Sequence, residues 1–325
     1  MHTSPLGEFE LIGRFFSRPT TRAALGPGDD CALLEPVPGQ RLAVSTDMLV
    51  EGRHFLPGAD PRSLGHKCLA VNLSDLAACG ARPLAFTLAL ALPEARADWL
   101  QPFSEGLYAL AEVHGCELVG GDTTKGPLTI SITVMGEVPR DMSRVPLRSA
   151  ARAGDDLWVS GTVGDARLAL EAHRATVSLG PAQRALVQPA MDRPQPRVAL
   201  GLALRGVAHA AIDISDGLVG DLRHLLRRSG VGARLDVDAL PLSPTLREQT
   251  RPWQLECALA GGDDYELLFT APPERRDDVL RAAEQAGVPV SRIGRIQAAD
   301  ALVLHDGRGA PIDWSGMTFD HFKTP

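Results

Sequence analysis

Lysine is nearly missing from this chain of 325 residues: it stands only at positions 67, 125 and 323, so arginine carries almost all the basic charge. With 33 Lys and Arg against 40 Asp and Glu the formal net charge is -7, which leaves no basic footprint for a nucleic-acid backbone. Cysteine pairing is also lacking. Cys31, Cys68, Cys79, Cys116 and Cys257 are odd in number and without CxxC spacing, and they read as reduced thiols of a cytoplasmic protein. The sequence has no secretory leader pattern and no apolar run long enough to span a bilayer, so no membrane partner is expected. Its histidines form no HExxH and no Cys-His pairing, which removes the common zinc signatures. A GxxxxGK[ST] loop, a GxGxxG after a strand and the kinase HRD and DFG motifs are absent as well. Any phosphate chemistry must therefore rest on metals, backbone amides and a few arginines.

What the chain does have is aspartate beside glycine and hydroxyl side chains. The segments are Gly28-Asp29-Asp30, Ser45-Thr46-Asp47, Ser74-Asp75, Gly120-Gly121-Asp122-Thr123-Thr124, Asp213-Ile214-Ser215-Asp216-Gly217 and Gly261-Gly262-Asp263-Asp264. Magnesium prefers oxygen ligands, keeps several waters, and binds through one or two carboxylates together with substrate phosphates. Short acidic side chains on small-residue turns meet that demand, and glycine lets a phosphate approach the main chain. Any one such segment is ordinary turn chemistry. Six in one chain point to a divalent-metal and phosphate site assembled from distant segments.

A hydrophobic content of 44% with 22% charged residues belongs to a globular chain, and the length predicts two domains. Strand and helix patterns alternate. A short strand at Leu42 to Thr46 ends at Asp47 and is followed by a loop through Gly52 and His54. A helix is predicted between Asp60 and Gly80, with Asp60 as cap and Pro61 in the first turn, so that Asn72 and Asp75 share a face. Further elements are expected at Leu84 to Leu92, Ala97 to His114, Glu117 to Val119 and Leu128 to Val138. In the second half they fall at Leu157 to Ser160, Asp165 to His173, Arg197 to Arg205, Ala210 to Ile214, a helix closing at Gly230, Tyr265 to Thr270, Arg275 to Gln285 and Ala301 to Leu304. Pro189 to Pro196 reads as a proline-rich connector. The junction at Ser215-Asp216-Gly217 joins a strand to a helix N-terminus, where anions gather.

In order and with suitable gaps, Gly26-Pro-Gly-Asp-Asp-Cys-Ala, Ser45-Thr-Asp-Met-Leu-Val-Glu-Gly-Arg-His-Phe, Asn72-Leu-Ser-Asp-Leu-Ala-Ala, Gly120-Gly-Asp-Thr-Thr, Asp213-Ile-Ser-Asp-Gly-Leu and Gly262-Asp-Asp-Tyr-Glu-Leu resemble the thiamine-monophosphate kinase family. That family belongs to the superfamily of aminoimidazole ribonucleotide synthetase and selenophosphate synthetase. The resemblance implies an α+β, two-domain PurM-like fold. Residues 1–147 would form an N-terminal ATP-binding and dimerisation domain whose sheet pairs with a second subunit to form a barrel, and residues 148–325 a C-terminal α+β domain closing the site. It implies ATP as co-substrate, thiamine monophosphate as acceptor, several Mg²⁺ ions and a homodimer. Carried over by position, it makes Asp30, Ser45, Thr46, Asp47, Asp75, Asp122, Asp213 and Asp216 metal ligands, direct or through water. Gly121, Asp122, Arg148 and Ser215 match nucleotide-binding positions, and His54, Glu266 and Phe319 acceptor-binding ones. No residue is implied as acid, base or nucleophile.

Outside those positions the residues have plainer readings. Asp155-Asp156 precedes a strand and reads as a turn, Asp221 as a surface or structural carboxylate, and Trp314 as core packing. Asp29, Asp263 and Asp264 stand open between site and turn roles. Two other functions remain: a different kinase or synthetase of the superfamily, and a non-catalytic magnesium-nucleotide sensor.

Overall fold

The computed structural model describes residues 7–314 and residue 316. Two compact units emerge: the first runs to Leu76 and resumes over Ala81–Arg140, and the second takes Ala77–Gly80 and the chain from Asp141 onward.

In the first unit a short helix α1 (Glu8–Leu11) passes into a π-helical turn at Ile12–Phe16, and β1 (Ala23–Leu25) pairs with β2 (Leu33–Leu34) as a small hairpin. The remaining elements are β3 (Gln40–Val50), α2 (Pro61–Ala78), β4 (Arg82–Leu92), α3 (Ala97–His114), β5 (Glu117–Lys125) and β6 (Thr129–Pro139). The four long strands form one sheet in the order β3-β6-β4-β5, with β4 and β5 parallel and the other pairs antiparallel. The Asp60 carboxylate accepts the Ser63 N–H at 2.8 Å, so α2 starts where the capping pattern places it. Cys68, Leu69, Ala70, Leu73 and Leu76 are buried. A side chain on Gly65 would collide with the Phe103 carbonyl of α3, and one on Gly106 with the Arg62 carbonyl of α2. Only glycine allows the two backbones so close.

Register divides the sheet into two faces. Ser45 lies opposite Val134 and Val134 opposite Phe86, while Leu49, Ile130 and Leu90 align in the same way. That face is buried, and α2 packs against it. The other face carries Leu42, Val44, Thr46 and Met48 of β3 beside Ser131, Thr133 and Ala89. Val44 is 61% exposed and Met48 55%.

The second unit contains β7 (Asp156–Ser160), α4 (Asp165–His173), α5 (Pro181–Asp192), α6 (Val198–Ala203), β8 (Ala210–Asp213), α7 (Leu218–Ser229), β9 (Gly232–Asp236), α8 (Pro244–Arg247), α9 (Arg251–Ala260), β10 (Leu267–Ala271), α10 (Arg276–Ala286), β11 (Val290–Gln297) and β12 (Leu302–His305). Its six strands form a sheet in the order β12-β9-β11-β7-β10-β8, antiparallel except for the β12–β9 pair. Leu157, Val159, Ile212, Leu222, Leu225, Leu268, Ile293 and Ile296 make its core, and Trp314 packs at the edge of that core. Asp155 and Asp156 form no simple surface turn. Asp155 accepts from His209 and from the Thr270 hydroxyl, and Asp156, fully buried, pairs with Arg276 and Arg292.

The two-domain, mixed α+β organisation is as the sequence implies, but several local expectations are corrected. Ser74-Asp75 lies in α2 as predicted, but β3 does not end at Asp47 and continues to Val50, and Gly120 to Thr124, expected beyond a strand ending at Val119, belongs to β5. In each strand the partner supplies the ladder that the local sequence does not advertise, for β4 pairs with β5 from Thr87 through Leu92. The connector expected over Pro189 to Pro196 begins later, because Pro181 opens α5, Pro189 inside it removes only one donor and the helix runs to Asp192, which leaves residues 193–197 to lead into α6.

Candidate active site

The first unit gathers oxygen-bearing side chains along β3. Strand alternation turns Ser45 and Asp47 toward α2, where the Ser45 hydroxyl donates to the Asp75 carboxylate at 2.5 Å and the Asp47 N–H donates to the Asn72 side-chain carbonyl at 3.1 Å. Asn72 is itself fixed by donating to the Cys68 carbonyl at 2.9 Å. The shared helix face of Asn72 and Asp75 thus meets the strand as the spacing predicts. Thr46 points to the opposite face and meets the Thr133 hydroxyl at 2.8 Å. Asp122 also falls there by register, aligned through Ala89 and Ser131 with Met48. Its neighbour Gly121 has a φ of 152°, and a side chain on it would strike the Leu88 carbonyl. Asp30 lies in the exposed loop of the β1–β2 hairpin.

Beyond β3 the chain turns back at Gly52. The His54 N–H donates to the Val50 carbonyl, and His54 Nδ1 accepts from the Val50 N–H, both at 3.0 Å. Accepting at Nδ1 fixes the neutral ring with its proton on Nε2.

In the second unit, β8 delivers Asp213 to the sheet's edge, and the chain then crosses Ser215 and Asp216 before α7. Asp221, in the first turn of α7, accepts the N–H groups of Ser215 at 3.0 Å and Asp216 at 3.1 Å. Burial, and after it the charges of Asp213 and Asp216, push the Asp221 carboxyl up to about 8. Sequence reasoning gave Asp221 a structural role without seeing that it shapes this loop; the available signal was an acidic residue in the first turn after a strand-to-helix junction. An Arg148 guanidinium nitrogen lies 3.8 Å from Asp213 Oδ1, and the Arg148 carbonyl accepts from Ser229 at 2.9 Å.

The 261–266 loop is stitched to the same place. Asp263 donates its N–H to the Ser215 carbonyl, Tyr265 to the Ile214 carbonyl, and Ile214 to the Glu266 carbonyl, all within 2.8–2.9 Å. Asp263 and Tyr265 adopt left-handed φ values of 63° and 52°. Asp264 turns inward. Both its carboxylate oxygens accept the Gly164 N–H ahead of α4, and burial holds its carboxyl well above the usual range. The Glu266 carboxylate is buried, paired with Arg197 and accepting from the Ser160 hydroxyl at 2.5 Å. Arg197 and Ser160 went unseen in the sequence, which gives no local sign of their distant partner. Phe319 lies outside the described residues.

Among the described residues no group of three or more His, Cys, Asp or Glu side chains could hold a metal alone. The donors within each unit still fit magnesium: they are carboxylate and hydroxyl oxygen, the Ser45–Asp75 pair in the first and the Asp213–Asp216 loop in the second, and that ion takes one or two carboxylates with the rest from water and phosphate.

Comparison with known proteins places these segments in one family. Residues 28–138 match the model of the AIR synthase related protein N-terminal domain, and residues 152–307 that of its C-terminal domain. The thiamine-monophosphate kinase of Salmonella typhimurium is 47% identical, covering 98% of this chain and 99% of that protein. The chain belongs to the thiamine-monophosphate kinase family. The crystal structure of thiamine-monophosphate kinase from Stenotrophomonas maltophilia, 45% identical, superposes with a TM-score of 0.83 over 93% of this chain and 95% of that one. Another member of the family, AaThiL complexed with AMPPCP and TMP, is 32% identical, with a TM-score of 0.75 over 99% of this chain and 100% of its own.

Proposed function

We propose that this chain transfers the γ-phosphoryl group of ATP to thiamine monophosphate, giving thiamine diphosphate and ADP in one in-line displacement. The observation that carries the reading is the full-length likeness to a family member complexed with AMPPCP and TMP. The acceptor phosphate has a second pKa of about 6 and is already an anionic nucleophile at neutral pH. No general base is required. Magnesium, held by the carboxylates and hydroxyls named below, would supply positive charge that offsets the repulsion between acceptor phosphate and polyphosphate.

On this reading Asp30, Ser45, Thr46, Asp47, Asp75, Asp122, Asp213 and Asp216 hold the ions. Gly121, Asp122, Arg148 and Ser215 receive the nucleotide, and His54, Glu266 and Phe319 the acceptor. His54 offers its Nε2 proton to the phosphate. Glu266 acts through the loop it closes, since Arg197 and Ser160 engage its carboxylate. The homodimer is supported by β3, an edge strand with Leu42, Val44 and Met48 exposed on one face. Among the described residues no cysteine forms a disulfide, and Cys31 and Cys79 are exposed, which suits the cytoplasm.

The test is steady-state ADP formation with and without thiamine monophosphate. Turnover that requires the acceptor and yields thiamine diphosphate supports the reading. ATP binding without turnover would point to a nucleotide sensor, and acceptor-independent hydrolysis would also sink it.

A further inference from the structure

The loop bearing Gly28-Asp29-Asp30 hangs from the β1–β2 hairpin, and two glutamates of the main sheet hold the hairpin's two ends. Glu117, first residue of β5, takes the incoming end. Its Oε1 accepts the Thr21 N–H at 2.8 Å, the Thr21 hydroxyl at 2.6 Å and the Arg22 N–H at 3.2 Å, and its Oε2 accepts the N–H groups of Arg22 at 3.0 Å and Ala23 at 3.3 Å. Glu137 of β6, 1% exposed, takes the outgoing end, accepting the Val37 N–H at 2.8 Å. Arg22 ties the two anchors together: one guanidinium nitrogen donates to Glu137 Oε2 at 3.1 Å and another to the Pro83 carbonyl at 2.8 Å. Arg82 adds a further hydrogen bond to Glu137 at 2.5 Å.

Between the anchors, Ala23, Ala32 and Leu34 pack against Leu84, Ala85 and Val119. A hairpin of such short strands buries too little to order itself. Charge-assisted hydrogen bonds from backbone amides are the stronger kind, and both carboxylates spend themselves on this segment and on arginine.

We infer that Glu117 and Glu137 are positioning residues, which clamp both ends of the 21–37 segment and so present Asp30 to the metal-nucleotide complex in a fixed place. The inference rests on the proposed role of Asp30 as a metal ligand. Without the clamp the loop must be ordered at the moment of binding, so Mg²⁺ use weakens while chemistry at saturation is kept.

The experiment uses the full chain carrying Glu117→Gln, which sets an amide among N–H donors, or Arg22→Met, which unties the anchors from the exposed side. Hydrogen exchange on the metal-free protein is followed by peptide, and initial rates are followed across Mg²⁺ concentration. The expected result is exchange at least about tenfold faster within residues 21–37, with peptides of α2 and β6 unchanged. The Mg²⁺ concentration for half-maximal rate rises about tenfold with the saturated rate held within about twofold, as is typical when a residue supporting a metal ligand is lost. Unchanged local exchange, or a lower saturated rate at unchanged Mg²⁺ requirement in the folded variants, overturns the clamp. Asp30→Asn separates the two claims. If it leaves Mg²⁺ dependence unmoved, the role of Asp30 fails and the clamp's purpose with it; if it shifts the dependence while both clamp variants do not, only the clamp fails.

Discussion

His54 is held at Nδ1 by the Val50 amide, so the proton it carries is on Nε2, where it can donate to an anionic acceptor. Replacing it with alanine should raise KM for thiamine monophosphate about tenfold or more and leave KM for ATP within about twofold, as loss of an acceptor contact requires. Equal changes in both constants would contradict the assignment. Asp156 offers a test of stability at the same scale. Burial acts to raise its carboxyl, yet hydrogen bonds and charge from Arg276 and Arg292 bring it below the usual range. A depressed folded value stabilises the protein above the unfolded value of about 4 and ceases to as pH falls through the folded one. Asp156→Asn should therefore lower the melting midpoint at pH 7, with the difference from the parent chain shrinking steadily below pH about 4. A difference constant with pH would mean that ionisation is not what Asp156 contributes.

At the scale of elements, α2 and α3 approach so closely that Gly65→Ala and Gly106→Ala would each drive a methyl group into a backbone carbonyl. Each should cost about 1–3 kcal/mol in chemical denaturation, the range for overpacking a well-filled interior. The helices were legible because cap, proline and glycine signals coincide with periodic apolar residues. Ala97–His114 and Asp165–His173 form where the sequence places them. Strand β11 was not legible. Its core residues Ile293 and Ile296 are three apart because the register shifts between Arg292 and Gly294, which erases the period of two. Strand β9 and helix α9 were missed too, β9 being short and α9 opening on Arg251-Pro252. The candidate site followed the same division. The acidic segments could be picked out from their neighbours, and alternation alone sets Thr46 opposite Ser45 and Asp47. That Asp122 joins the face of Thr46 could not be read, since that depends on pairing. Nor could the engagement of Glu266 by Arg197 be read, its partner being 69 residues away.

The whole molecule should answer to metal and to self-association. The charges of Asp213 and Asp216 share one loop, beside the Asp221 carboxyl that burial and those charges push up to about 8, so Mg²⁺ with a non-hydrolysable ATP analogue should raise the melting midpoint above that in EDTA, because a ligand bound by the folded state alone stabilises it. Equal midpoints would count against a shared metal site. Val44→Lys places a charge on the exposed face of the edge strand β3 and should shift sedimentation from dimer to monomer. An unchanged sedimentation coefficient would place the dimer contact elsewhere, and a monomeric parent chain would remove it. Phosphoryl transfer is tested most directly in a single turnover, with enzyme in excess over ATP labelled in its γ-phosphoryl group and with thiamine monophosphate present. The label should pass to the terminal phosphate of thiamine diphosphate, with none on the protein at any time. Label released as inorganic phosphate, retained in ATP, or found on a side chain along the path would contradict the account.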